Sequence, residues 1–186
     1  MASTRIVETR TGSFAGGLWP GDPATRIRPF TPADDAFCRA LFHEERAGQF
    51  APLGLSNAVL AAMLDQQFDT QRMAYASRFP GAESFIIAHA GADVGRLIVT
   101  VEPTAPPSPV GHTIHLIDIT IAAAARGRGI GSDIVESLVR AGHAAGASRM
   151  TLMVLQSNHA ARRLYERLGF VARTDSVHML MIRDLP

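Results

Sequence analysis

Two stretches of this sequence carry residues whose types and spacing could do chemistry. The first is Arg126-Gly127-Arg128-Gly129-Ile130-Gly131-Ser132, standing between an apolar run, His112 to Ile121, and a helical pattern. A strand that feeds a glycine-rich turn and then a helix suits a phosphate-bearing ligand. Glycine lets the backbone come close, and the first helical N–H groups point at the anion. Three ligand patterns compete. A P-loop needs a lysine after its last glycine, and all 18 basic residues of this chain are arginine. A dinucleotide fingerprint counted from Gly127 would place its third glycine at Ser132, and the next strand, Arg149 to Leu155, carries no acid for a ribose. The pattern that survives is Gln/Arg-x-x-Gly-x-Gly, met by Arg126, Gly129 and Gly131. The second stretch begins about 27 residues after Gly131 and reads Asn158-x-x-Ala161-x-x-Leu164-Tyr165-x-x-x-Gly169-Phe170.

The remaining candidates are weaker. His112 and His115 lie three apart in a strand pattern, which puts them on opposite faces and argues against a metal site. Cys38 is the only cysteine, so an internal disulfide and any multi-cysteine metal site are excluded. It falls in a helical stretch with no base nearby, as a packed thiol would. The missing lysines also remove Schiff-base chemistry and pyridoxal phosphate anchoring. A net charge of +1 gives no general attraction to nucleic acid.

These residues need elements to hold them. A length of 186 residues, 47% hydrophobic and 19% charged, predicts one soluble domain. No apolar run reaches the roughly 20 residues of a membrane span, and no secretory leader is visible, so a cytoplasmic location is expected. Residues 1–24 read as an N-terminal extension of uncertain order, and 25–186 as the domain. Thr25 to Phe30 predicts a first strand. Thr31-Pro-Ala-Asp-Asp then opens a helix running to about Glu45, and Ser56 to Arg78 is one helix or two short ones. Ser84 to His89 and Val94 to Val101 predict a hairpin, and the proline-rich stretch 103–110 a loop.

His112 to Ile121 is the strongest strand. Ile114 and Leu116 share one face, whereas Ile117, Ile119 and Ile121 share the other, and such a slip in phase marks a β-bulge. The helix after Gly131 carries Ile130, Ile134, Leu138 and Ala141 on one face and a Glu136–Arg140 pair on another, and stops at Gly146. Arg149 to Leu155 is the next strand. Ser157 or Asn158 caps a helix that closes at Gly169, and Phe170 to Arg173 and Val177 to Ile182 end the chain as strands.

At the two motifs the sequence resembles the GCN5-related N-acetyltransferase (GNAT) superfamily, closely from about His112 to Phe170 and more loosely over Ile27 to Val101. The resemblance implies an α/β fold: a mixed, mostly antiparallel twisted sheet of six to seven strands, about four flanking helices, and a fourth and fifth strand that splay apart at a bulge. It implies acetyl-coenzyme A as co-substrate, with no metal. The pantetheine arm would lie along Ile119, Thr120 and Ile121, the pyrophosphate on Arg126 to Ser132, and Asn158 beside the arm. Tyr165 would stand near the thioester sulfur. A phenol of ordinary pKa near about 10 is a credible proton donor to the departing thiolate.

The general base is open. The fifth strand has no acid, so His115 and Asp118 are the candidates, acting directly or through water. Gln67, Gln71 and Tyr75, with Gln66, are candidates for lining the acceptor pocket, beside their reading as a solvated helix face. The implied reaction is acetyl transfer to a primary amine by direct attack in a ternary complex. The acceptor is a small-molecule or peptide amine, and a homodimer is among the possible assemblies. Two alternatives stay open: a non-enzymatic acyl-coenzyme A sensing module, or transfer of a different acyl group.

Overall fold

The computed structural model describes residue 14 and residues 17–102, 112–174 and 176–185. The expected proline-rich loop at 103–110 and most of the N-terminal extension lie outside the described residues. One seven-stranded sheet organises the chain, in the order β1 (Thr25–Pro29), β2 (Glu83–His89), β3 (Ala92–Glu102), β4 (His112–Ile121), β5 (Ala147–Leu155), β7 (His178–Asp184), β6 (Val171–Ala172). All neighbouring pairs run antiparallel except β4 and β5, which are parallel and joined through α3 (Ile130–Ala144). A parallel pair needs such a crossover, and here a helix supplies it. This is the mixed, mostly antiparallel sheet with four helices that the motifs imply.

The two faces of the sheet carry separate cores. On one, α1 (Asp35–Arg46) and α2 (Asn57–Arg78) pack Cys38, Phe42, Leu64 and Phe68 against Ile86. The two helices are also tied by charge. Arg39 of α1 reaches Asp65 and Asp69 of α2 at 3.2 and 3.0 Å, and its guanidinium lies 4.7 Å from the centre of the Phe68 ring. The stretch 57–78 is a single 22-residue helix, capped by the Ser56 hydroxyl, which accepts from the Val59 N–H. Its apolar stripe is loose because only Leu64 and Phe68 are fully buried.

On the other face, α3 buries Ile130, Ile134, Val135 and Leu138 against Leu97, Val99, Ile114, Leu116, Met150 and Leu152. The same cluster takes in Tyr165 of α4 (His159–Arg167) and Phe170. It also takes in Phe14 and Leu18, and the segment behind them is laid along α3. The N–H groups of Gly21 and Asp22 donate to the Asp133 carboxylate at 2.6 and 3.0 Å, and Arg140 donates to the Trp19 carbonyl at 2.9 Å. Arg140 is therefore engaged elsewhere than with Glu136. Glu136 pairs with Arg183 of β7 at 3.0 Å. The expected i,i+4 pair is replaced by two tertiary contacts.

The phase slip in β4 is a bulge. Its pairing with β3 jumps from Val99↔Leu116 to Ile98↔Asp118, which leaves Ile117 as the extra residue. The consequence is a change of parity. Ile119 and Ile121 return to the face of Ile114 and Leu116, above α3, whereas Asp118 and Thr120 join His115 on the face of α1 and α2. At the same place β4 parts from β5: the parallel pairing ends at Leu116↔Leu152, and 117–121 have no partner on that side.

Candidate functional site

The divergence of β4 from β5 exposes one edge of a strand in the middle of the sheet. The Ala122 N–H donates to the Val94 carbonyl at 2.8 Å, which fixes which residues of β4 bond to β3. Backbone groups alternate sides along a strand, so the N–H groups of Ile119 and Ile121 turn the other way, toward the gap. The gap opens into a cavity of about 450 Å³ lined by Ile119, Thr120, Ile121, Gly131, Asn158 and Tyr165. An extended polyamide arm with its own N–H and C=O groups could pair with such an edge.

The loop at the head of this cavity is shaped by glycine. Gly127 and Gly129 have φ of +73° and +80°, a left-handed backbone that costs any other residue about 1–2 kcal/mol. A Cβ added at Gly127, Gly129 or Gly131 would meet nothing within 4 Å, so no internal packing requires glycine at Gly131. The loop leaves bare backbone facing open space at the amino end of α3, where N–H groups and the helix dipole favour an anion. Arg126 braces the turn by donating from Nε to the Ile121 carbonyl at 2.7 Å. Arg128 and Ser132 stand in the loop and the first turn of α3, whereas Ile130 turns into the core at 3% exposure. The set fits a diphosphate-bearing ligand with an extended arm.

The lower end of the cavity is formed by α4. The Asn158 carboxamide oxygen accepts from the Ala161 N–H at 3.1 Å, so Asn158 caps the helix while it lines the cavity. About two turns later Tyr165 is 7% exposed, its ring set edge-on to Phe170 at 5.7 Å. Burial, with a smaller push from the Asp118 charge, drives its phenol well above the ordinary range, so it stays protonated at physiological pH.

On the α1–α2 face the residues considered for acceptor binding divide. Gln71 and Tyr75 line a cavity of about 240 Å³ with Phe79, Arg96 and Ile98. Gln67 lies in a neighbouring groove with Gln66, Arg46 and Phe50, and Gln71 borders both. Burial raises the Tyr75 phenol, and the Asp118 charge adds to it. Asp118 itself is held by Arg96, whose Nε and Nη2 both donate to Oδ2 at 3.0 and 2.8 Å. A proton delivered to that oxygen would have to break the ion pair. His115 lines neither cavity, although it packs behind Phe79, which borders the smaller one. It is stacked on Phe79 at 5.4 Å, and its Nδ1 lies 2.8 Å from the Thr151 hydroxyl. Burial lowers its pKa.

Glu45, Gln49 and Ala160 also line the main cavity and were not singled out by sequence reasoning, and of these only Glu45 carries an ionisable group. Glu45, in the last turn of α1, lines the cavity that holds Tyr165, and the Thr120 hydroxyl donates to its Oε2 at 3.4 Å. Its carboxyl pKa is raised, first by desolvation and then by the Asp118 charge. The only signal for it was the run His43-Glu44-Glu45-Arg46 at a helix end, which reads as an ordinary solvated terminus. Among the described residues no three His, Cys, Asp or Glu side chains group as metal ligands, and no helix is long and apolar enough to cross a membrane.

The architecture has close counterparts among solved structures. It is similar to PaiA N-acetyltransferase from Thermoplasma acidophilum in complex with coenzyme A, at 12% identity and a TM-score of 0.64 over 86% of this chain and 98% of that chain. It is similar to an acetyltransferase from Thermus thermophilus, at 22% identity and 0.59 over 87% and 97%. It is also similar to the protein yncA from Salmonella typhimurium with its cofactor acetyl-CoA, at 16% and 0.53 over 88% and 95%. At these identities the likeness is one of fold. A family model described as acetyltransferase (GNAT) family matches residues 53–170, which span α2, the diverging strands, the glycine loop and Tyr165. The chain belongs to the GNAT acetyltransferase family.

Proposed function

We propose that this chain transfers an acetyl group from acetyl-coenzyme A to a primary amine, by direct attack while both are bound. The observation that carries the reading is the conjunction at β4. Two backbone N–H groups turn into the gap left by β5, the glycine loop caps one end of the cavity and a protonated phenol stands at the other. Coenzyme A accompanies the similar folds from Thermoplasma acidophilum and Salmonella typhimurium, the latter as acetyl-CoA.

The co-substrate would supply an acyl group activated as a thioester. The rest falls to the protein. The loop from Arg126 to Ser132 receives the pyrophosphate, and the edge of β4 orients the arm. A backbone N–H aimed at the carbonyl oxygen stabilises the charge that develops there, and such donors are commonly worth about 3 kcal/mol. Tyr165 donates a hydrogen bond to the departing sulfur. Its raised pKa, caused first by burial, keeps the phenol protonated near neutral pH. Gln71 and Tyr75 would form the acceptor wall, on the side of β4 that Asp118 and Thr120 face.

The test is a panel of amines, from small polyamines and aminoglycosides to peptide amino termini, assayed for thiol release from acetyl-coenzyme A. Saturable release with at least one amine, yielding its N-acetyl product, is the expected result. Tight coenzyme binding with no release from any amine would favour a sensing module. Release from a longer acyl thioester in preference to acetyl would reassign the donor.

A further inference from the structure

Acetyl transfer to an amine needs a group that removes a proton, because an aliphatic ammonium with pKa near about 10 has no lone pair at neutral pH. The two candidates on β4 line neither cavity: Asp118 is paired with Arg96, and His115 is stacked behind Phe79 with its Nδ1 against the Thr151 hydroxyl. We propose that Glu45 of α1 is the group that takes the proton from the attacking amine; this rests on the acetyltransfer reading above.

The geometry is specific to Glu45. It lines the same cavity as Tyr165, from the opposite layer of the fold, and is tied to Thr120, which lies between the two backbone N–H groups that face the gap. It thus reaches the reaction region from the α1–α2 face, where Gln71 and Tyr75 line their cavity. The charges around it come from every neighbouring element: Arg46 of α1, Tyr75 of α2, Arg96 of β3, Asp118 of β4 and Arg126 of the loop.

Its carboxyl is tuned for the task. Desolvation and the Asp118 charge raise its pKa, and its place in the last turn of α1, at the negative end of the helix dipole, disfavours a carboxylate there. A base whose pKa moves up toward the working pH is a better proton acceptor than an ordinary surface glutamate. In balance, the ammonium gives one proton to Glu45, the new N–C bond forms and the C–S bond breaks. The sulfur takes the Tyr165 proton, and the phenol regains one from the new amide nitrogen. Ammonium and thioester thus yield amide, thiol and one proton, which Glu45 releases to solvent.

The sign of the pH effect follows. Glu45 must be ionised to act, so the rate falls as pH drops through its pKa. In Glu45→Gln the rate should fall about 10²-fold at pH 7. It should then climb steadily with pH as free amine accumulates in solution, with coenzyme A affinity by calorimetry within twofold of the parent. Glu45→Asp should recover part of the loss. Independently of turnover, carbon-13 titration of the free chain should show a glutamate carboxyl above the ordinary value of about 4.3 that is missing in Glu45→Gln. A Glu45→Gln enzyme with parental rate and acid limb, or a Glu45 that titrates in the ordinary range, overturns the assignment while acetyltransfer stands. If Glu45→Gln loses coenzyme binding, Glu45→Asp and the titration decide. A parent chain that binds coenzyme A yet releases no thiol with any amine overturns both readings.

Discussion

Tyr165 shows how one side chain can serve both packing and chemistry. Its stripe partners Ala161, Leu164 and Leu168 pack against the core, and its ring leans on Phe170, so the phenol is fixed from behind while its face borders the cavity. Replacing it with phenylalanine keeps the ring and removes only the donor. Tyr165→Phe should lower kcat by about 10² to 10⁴ with little change in coenzyme affinity, read by steady-state kinetics beside calorimetry. Undiminished kcat would exclude a donor role for this hydroxyl.

The glycine loop and helix α3 form the head of the site, and each can be probed alone. Gly129→Val puts a β-branched side chain at φ +80° and a methyl group into the open space of the loop. Coenzyme A binding should fall at least tenfold by calorimetry, while circular dichroism shows the helices retained. In α3, the Ser137 hydroxyl is 1% exposed and has no hydrogen-bond partner among the described residues. A buried, unsatisfied hydroxyl is a cost, so Ser137→Ala should stabilise the fold by about 1 kcal/mol and raise Tm by about 2–4 °C in a thermal melt.

The same elements show what a sequence can reveal. The bulge was legible because burial fixes side-chain parity: Ile114 and Leu116 had to share a face with Ile119 and Ile121, and only an extra residue reconciles them. The glycine loop and the Asn158–Tyr165 helix were legible because their residues lie close together along the chain. Glu45 was not, because its importance comes from the approach of α1 to β4, a contact between residues 75 positions apart. The Glu136–Arg140 pair failed for a related reason, since helical spacing permits a pair but Arg183 and the Trp19 carbonyl offered competing partners from elsewhere in the fold.

Across the whole molecule, acid sensitivity should concentrate where β1, α1 and β3 meet. Arg28 donates through both terminal nitrogens to Asp34, at 2.8 and 2.7 Å, and to Asp93 at 2.8 Å, while the Thr31 N–H donates to Asp34 at 2.8 Å. The Arg28 hydrogen bond first, and the Thr31 N–H second, hold the Asp34 carboxyl well below the usual carboxylate range. The unfolded chain takes up a proton at this position near the ordinary value of about 3.9, where the folded chain does not. Stability from Asp34 is therefore fully present above that pH and drains away below it. Asp34→Asn should be less stable than the parent at pH 7 by urea denaturation, with the gap narrowing at pH 3. A gap of constant size would place the acid sensitivity elsewhere.

Ile117 sets a rule for change along β4. Point substitutions there alter one half-buried side chain. Excising the residue would leave Asp118 and Thr120 on one face and Ile119 and Ile121 on the other, because Leu116 and Asp118 would then face Val99 and Ile98 as consecutive residues. What would go is the bulge at the point where β4 parts from β5. In the ancestry of this chain, length at that position is expected to be far less free to vary than residue identity.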